Sequence, residues 1–200
     1  MDFLVTMTTN VPAGTPKATV EEVRARETAR SLELEAGGHL LRLWRPPLQP
    51  GEWRTLGLFA SDDADHLEES LASMPLRIWR TDEVTPLLSH PNDPGPAADP
   101  TPEGWAEYLT TFTTVIPSGT PAQDVTDAEA REAARAHDMA EQGHLVRLWK
   151  LGGTVALGLW RAGSADEMQQ ILRSLPLSAW MKVEATPLSE HPNDPARRSR

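Results

Sequence analysis

An α+β fold built twice, each copy running βαββαβ, is what this 200-residue sequence predicts. Three observations carry the expectation. The chain repeats itself at a fixed offset, the hydrophobic period switches between 2 and 3.6 in the same order in both copies, and a stretch rich in Pro and Gly separates them.

The repeat is read directly. Arg26-Glu27-Thr28-Ala29-Arg30 returns as Arg131-Glu132-Ala133-Ala134-Arg135, an offset of 105 residues (132 − 27), and Gly38-His39-Leu40-Leu41-Arg42-Leu43-Trp44-Arg45 returns as Gly143-His144-Leu145-Val146-Arg147-Leu148-Trp149-Lys150. Past a shortened loop the offset is 101 (176 − 75): Met74-Pro75-Leu76 pairs with Leu175-Pro176-Leu177, and His90-Pro91-Asn92-Asp93-Pro94 with His191-Pro192-Asn193-Asp194-Pro195. Polar residues kept in both copies are the better site candidates, because much of the rest has drifted.

Each copy opens on an alternating strand, Phe3, Val5 and Met7 or Tyr108, Thr110 and Phe112, followed by a Pro- and Gly-containing turn. A helix of about 18 residues by its period comes next and is stopped by Gly37-Gly38 or Gly143. Two strands follow (39–45 and 53–60; 144–150 and 154–160), then a helix (62–73; 164–174) and a last strand (77–87; 178–188). This order is the ferredoxin-like, split βαβ arrangement, an antiparallel four-stranded sheet with both helices on one face. The open faces need a cover, so the two sheets are expected to pack face to face as a pseudo-dimer, in the manner of a dimeric α/β barrel. The domains are expected at 1–93 and 105–195, with a linker at 94–104 and a short basic tail at 196–200.

Composition narrows the function. With 19 Lys and Arg against 29 Asp and Glu, the net charge of −10 argues against a nucleic-acid partner. No run approaches the ~20 apolar residues of a membrane span, and the chain opens into a strand pattern rather than a signal peptide. The absence of Cys removes disulfides and thiolate chemistry and fits a reducing compartment, so a cytoplasmic protein is expected. Phosphate-loop, dinucleotide and metal-ligand signatures are missing, so the expected chemistry needs no cofactor and no metal.

Candidate residues follow from the patterns. Along the first helix, Val20, Val23, Glu27, Ser31 and Leu34 form one stripe, and Val125, Ala128, Glu132, Ala136 and Met139 form its copy. A carboxylate in an apolar stripe must be paired or protonated. Glu27 and Glu132 are therefore either general bases or partners in ion pairs with Arg30 and Arg135 or with an arginine of the next strand. On that strand, simple alternation places Leu40, Arg42 and Trp44 on one face and His39, Leu41, Leu43 and Arg45 on the other; the copies are Leu145, Arg147 and Trp149 against His144, Val146, Leu148 and Lys150. Arg42 with Trp44, and Arg147 with Trp149, can clamp a carboxylate and cover an apolar ring, or close a salt bridge to the helix glutamate; both alternatives place Arg42 near Glu27. His39 and His144 follow the helix-stopping glycine, where a histidine can relay a proton or bond a carbonyl at the helix end. His90 and His191 read as turn-locking residues.

Taken together, Glu27, the Gly38–Arg45 segment, Met74-Pro75-Leu76 and Pro86-Leu87 before His90-Pro91 resemble the muconolactone Δ-isomerase family, and both copies carry the resemblance. It implies a ferredoxin-like subunit that forms dimers and larger rings, so a homo-oligomer built from the tandem is an open expectation. It also implies cofactor-free isomerisation of muconolactone to the 3-oxoadipate enol-lactone. Carried onto this chain, Glu27 and Glu132 take the proton, Arg42, Arg45, Arg147 and Lys150 hold negative charge, and His39 and His144 relay the proton. Leu4, Thr6, Leu109 and Thr111, with Leu41 and Val146, stand where the catabolic isomerases carry basic residues, which favours a less charged lactone or enolisable ring as substrate. A cyclase, dehydratase or oxygenase on the same fold, or a non-catalytic small-molecule-binding module, remains the alternative.

Overall fold

The computed structural model describes residues 1–96 and 101–198. Residues 97–100 of the expected linker and residues 199–200 of the expected tail lie outside the described residues. The first copy consists of β1 (Asp2–Thr9), α1 (Lys17–Ala36), β2 (Leu40–Arg45), β3 (Arg54–Ala60), α2 (Ala64–Ala72) and β4 (Arg80–Ser89). The second repeats the order as β5 (Ala106–Thr114), α3 (Ala122–Glu141), β6 (Leu145–Gly152), β7 (Val155–Ala162), α4 (Ala165–Arg173) and β8 (Met181–Glu190). The α+β class and the doubled βαββαβ order are as the sequence predicts. All strand pairs are antiparallel, with neighbours β2-β3-β1-β4 in the first copy and β6-β7-β5-β8 in the second. Among the described residues no helix is long and apolar enough to cross a membrane.

Local chemistry fixes the boundaries. Gly38 and Gly143 take φ of 73° and 77°. Each closes its helix with paired bonds: His39 N–H to the Leu34 carbonyl at 2.8 Å with Gly38 N–H to Glu35, and His144 N–H to Met139 at 2.8 Å with Gly143 N–H to Ala140. The last strand of each copy begins later than its apolar run suggests. Pro75–Trp79 and Ser178–Trp180 wind into 3₁₀ turns first, and in the former a proline at the opening position presets helical φ.

Compact units and sequence repeats do not coincide. Unit 1 holds Met1–Leu87 together with the segment from Ser189 onward, and unit 2 holds Leu88–Leu188. The two His-Pro-Asn-Asp-Pro segments are thus exchanged between the copies. In unit 1, Glu190 and Ser189 pair with Trp44 and Arg45 of β2; in unit 2, Leu88 and Ser89 pair with Lys150 and Trp149 of β6. Phe3, Val5, Leu34, Leu40, Leu43 and Phe59 belong to the core of unit 1. Tyr108, Phe112, Met139, Leu145, Leu148 and Trp160 belong to that of unit 2.

The faces of β2 and β6 differ from simple alternation. Leu40 pairs with Phe59 and Arg42 with Leu58, so Leu41 is an extra, bulged residue; Val146 is the same between Leu145 and Arg147. A bulge resets the period by one. Leu40 therefore joins Leu43 in the core, and Leu145 joins Leu148, instead of sharing a face with the arginine and tryptophan.

Candidate active site

A cavity of about 380 Å³ opens in unit 2. Helix α3 brings Glu132 to it, β6 brings Lys150, β5 and β7 bring Phe112 and Trp160, and the exchanged segment brings His90. The half-buried Glu132 carboxylate accepts the Leu177 N–H through Oε2 at 2.9 Å. Its Oε1 has no hydrogen-bond partner among the described residues. Burial raises the Glu132 pKa above the ordinary 4.5, opposed by that one backbone bond. His90 is held below its usual value, first by burial and then by the Lys150 charge, while Nδ1 accepts the Asn92 N–H at 3.1 Å. That bond puts the ring proton of neutral His90 on Nε2. The turn-locking role expected for His90 holds, and the ring also lines the cavity, which sequence reasoning missed.

The matching cavity of unit 1 is smaller, about 160 Å³, and Glu27, Arg24, Arg45, Trp53 and His191 line it. Here the carboxylate is fully engaged: Oε2 accepts the Leu76 N–H at 2.8 Å and Oε1 accepts Arg80 Nη1 at 3.1 Å. Glu27 is 7% exposed. Burial raises its pKa, with the Leu76 N–H and Arg80 pulling it back. Arg80 continues into a bidentate pair with Asp82 at 2.7 and 3.0 Å, Asp82 pairs with Arg77, and Arg77 reaches Glu68 at 2.5 Å. At the offset of 101 residues (181 − 80), Arg80, Asp82, Arg77 and Glu68 correspond to Met181, Val183, Ser178 and Gln169. All four charges around the first glutamate are neutral in the second copy. The sequence showed this difference, but a search for identities between copies passes over it.

Several expectations are corrected. The Glu27 partner is Arg80 of β4, not Arg30, which bonds Glu33 and Ser73, and not Arg42. Arg42 instead donates to Asp194 at 3.0 to 3.3 Å and lies 4.7 Å over the Trp44 ring, while Asp194 also accepts the Leu43 N–H at 3.0 Å. Arg147 repeats this with Asp93 at 3.2 Å and with Trp149 at 4.7 Å, and Leu148 N–H reaches Asp93 at 2.8 Å. These arginine and tryptophan pairs anchor the exchanged segments and line neither glutamate cavity. His39 lines a different crevice with Arg30 and His66. His144 stacks on Trp105 with ring centroids 4.7 Å apart, and its Nδ1 lies 2.9 Å from the Arg161 carbonyl. The structure thus brings Glu27 together with Arg45, and Glu132 with Lys150, and leaves His39, His144, Arg42, Trp44, Arg147 and Trp149 outside. Among the described residues no group of three or more His, Asp or Glu is placed to hold a metal ion.

Fold and site together define a tandem α+β protein with one helix carboxylate turned to a cavity in each copy. A family model described as muconolactone delta-isomerase matches residues 1–93 and 106–194, and the chain belongs to that family. It is 34% identical over 87 residues to the muconolactone Delta-isomerase of Cupriavidus pinatubonensis, which covers 43% of this chain and 95% of that protein. It is 34% identical over 92 residues to muconolactone Delta-isomerase 1 of Acinetobacter lwoffii, covering 46% and 93%. Among solved structures, a heme-binding protein from Thermus thermophilus aligns over 98% of this chain and 94% of its own at TM-score 0.60 and 12% identity. That likeness concerns the fold alone.

Proposed function

We propose that unit 2 carries a cofactor-independent isomerase site that shifts a proton within a lactone, muconolactone or a close relative, inside the cell. Glu132 is the base. Its free Oε1 takes the ring proton γ to the lactone carbonyl, which the conjugated double bond makes acidic, and the electron pair moves onto the carbonyl oxygen. The same carboxyl then returns the proton to the α carbon, and the double bond ends between the β and γ carbons. No oxidation state changes overall. Lys150 at the cavity rim holds the substrate carboxylate, and the His90 Nε2–H donates to the oxygen that gains charge. Phe112 and Trp160 cover the ring.

The observation that carries this reading is the half-satisfied Glu132, anchored through Oε2 and available through Oε1. Racemic muconolactone, followed by ultraviolet absorbance, tests it. Glu132→Gln should lower kcat by about 10²–10⁴-fold, the usual share of a positioned base, and Glu27→Gln by no more than a few fold. Full turnover in Glu132→Gln would refute the assignment of the base. A second reading, an uncharged lactone or enolisable ring as the substrate, is favoured by Lys150 being the single cation on this cavity wall among the described residues. The methyl ester of muconolactone, turned over faster than the acid, would decide for it.

A further inference from the structure

The unit 1 cavity differs from that of unit 2 in the features on which the proposed proton transfer rests. Each oxygen of Glu27 already accepts a hydrogen bond, one of them from the Arg80 guanidinium, whereas Glu132 keeps an oxygen that accepts none among the described residues. Arg24 and Arg45, in contrast, line the cavity and their guanidinium groups donate to no group among the described residues. Arg24 is held at the wall by the Trp53 ring, 5.4 Å below its guanidinium. Glu27, the one acidic residue on the wall among the described residues, is already paired with Arg80. His191 reports the same field: burial and then Arg45, Arg24 and Arg197 push it down to about 4, and with Nδ1 accepting the Asn193 N–H at 3.2 Å the neutral ring keeps its proton on Nε2. Unit 2 answers these groups with Lys150 alone, since Glu129 corresponds to Arg24 by the offset of 105 (129 − 24).

From this geometry we propose that the unit 1 cavity is a separate binding site for a small aliphatic carboxylate, gripped by Arg24 and Arg45 and not turned over. Guanidinium groups recognise carboxylate oxygens in two-point fashion, and the His191 Nε2–H adds a third donor. Size limits the ligand. The cavity of about 160 Å³ is less than half as large as the one in unit 2, which suits a short-chain acid. The non-turnover clause rests on the assignment of catalysis to unit 2; the binding clause does not.

Calorimetry of the full chain with butyrate, and with butyramide as its uncharged isostere, tests the site. Butyrate should bind and butyramide should not. Arg24→Ala with Arg45→Ala should weaken butyrate at least tenfold, the Arg24→Lys, Arg45→Lys pair should restore part of the loss, and Lys150→Ala should leave it unchanged. Both arginines are exposed and donate no hydrogen bond to a described group, and Arg24 only overlies the Trp53 ring, so these variants keep the fold, and an unchanged melting temperature verifies that. Equal binding of butyramide, indifference to the arginine variants, or loss in Lys150→Ala would each overturn the proposal. Butyrate binding without any turnover of muconolactone or its methyl ester would refute the isomerase reading and keep the site. Muconolactone turnover persisting in Glu132→Gln and abolished by Glu27→Gln would overturn the non-turnover clause.

Discussion

In unit 1 the helix carboxylate ends a line of alternating charges, Glu27, Arg80, Asp82, Arg77 and Glu68; in unit 2 the equivalent carboxylate has Met181, Val183, Ser178 and Gln169 at the matching positions. The same helix, the same register and the same backbone donor from the segment that follows the second helix give two chemical states. Position on a fold supplies the carboxylate, and the neighbours decide whether it is bound into an ion pair or keeps an oxygen turned to a cavity. Duplication makes that separation possible, because one copy can stiffen while the other keeps a half-satisfied acid.

The comparison can be broken or sharpened by measurement. The largest effect expected is on the anchors of the exchanged segments. Asp194 has no exposed surface and holds the nearly buried Arg42, so Asp194→Ala should destabilise unit 1 by about 3–5 kcal/mol in denaturant melts. Asp93, with 16% of its side chain exposed, should lose less in Asp93→Ala; equal losses would make the two anchors equivalent.

Acid should distinguish the units next. The folded-state value of His191 lies at about 4, below the ordinary 6.5, so the unfolded chain binds the proton more tightly. Stability is complete above about 6.5 and falls as the pH drops toward 4, by at most about 3 kcal/mol from this group. His191→Gln should flatten the melting temperature across that window, and an unaltered pH profile would discard the role.

A transplant comes third. Met181→Arg with Val183→Asp rebuilds the charged line around Glu132 and should lower kcat about 100-fold, some 2.7 kcal/mol of barrier. Undiminished turnover would show that the charged neighbours do not distinguish the copies.

The smallest effect is on stability at the glutamates themselves. In Glu27→Gln one of the two donors, Leu76 N–H or Arg80, must face an amide NH₂, a loss of about 1–3 kcal/mol. Gln at 132 can accept the Leu177 N–H and leave its NH₂ to the cavity, so Glu132→Gln should melt within about 0.5 kcal/mol of wild type. The reverse order of stabilities would contradict the pairing described.

The fold was legible because its signals are local and repeated: alternation in β1 and β5, the 3.6 period with Glu27 and Glu132 in its stripe, and the stopping glycines. The site was legible only in part. Leu41 and Val146 look like any residue of an alternating strand, yet each is a bulge that moves Leu40 and Leu145 into the core, and nothing in a Leu-Leu-Arg run marks which residue will be skipped. The partner of Arg42 lies 152 residues away in the other copy's terminal motif, beyond any local pattern. Arg80 and its line were hidden for another reason: they are absent from the second copy, where a comparison that looks for shared residues finds nothing.

The exchanged segments also set an order of synthesis. The strands and helices of unit 1 leave the ribosome first, but its Asp194 anchor is made last, after the whole of unit 2. At roughly 5–20 residues per second, the part of the chain that is translated earliest waits several seconds for its final side chains. A nascent chain of this protein therefore completes its second unit before its first, the reverse of the usual progression from the N-terminus, and a chain ending at Leu188 would hold a finished unit 2 beside an open unit 1.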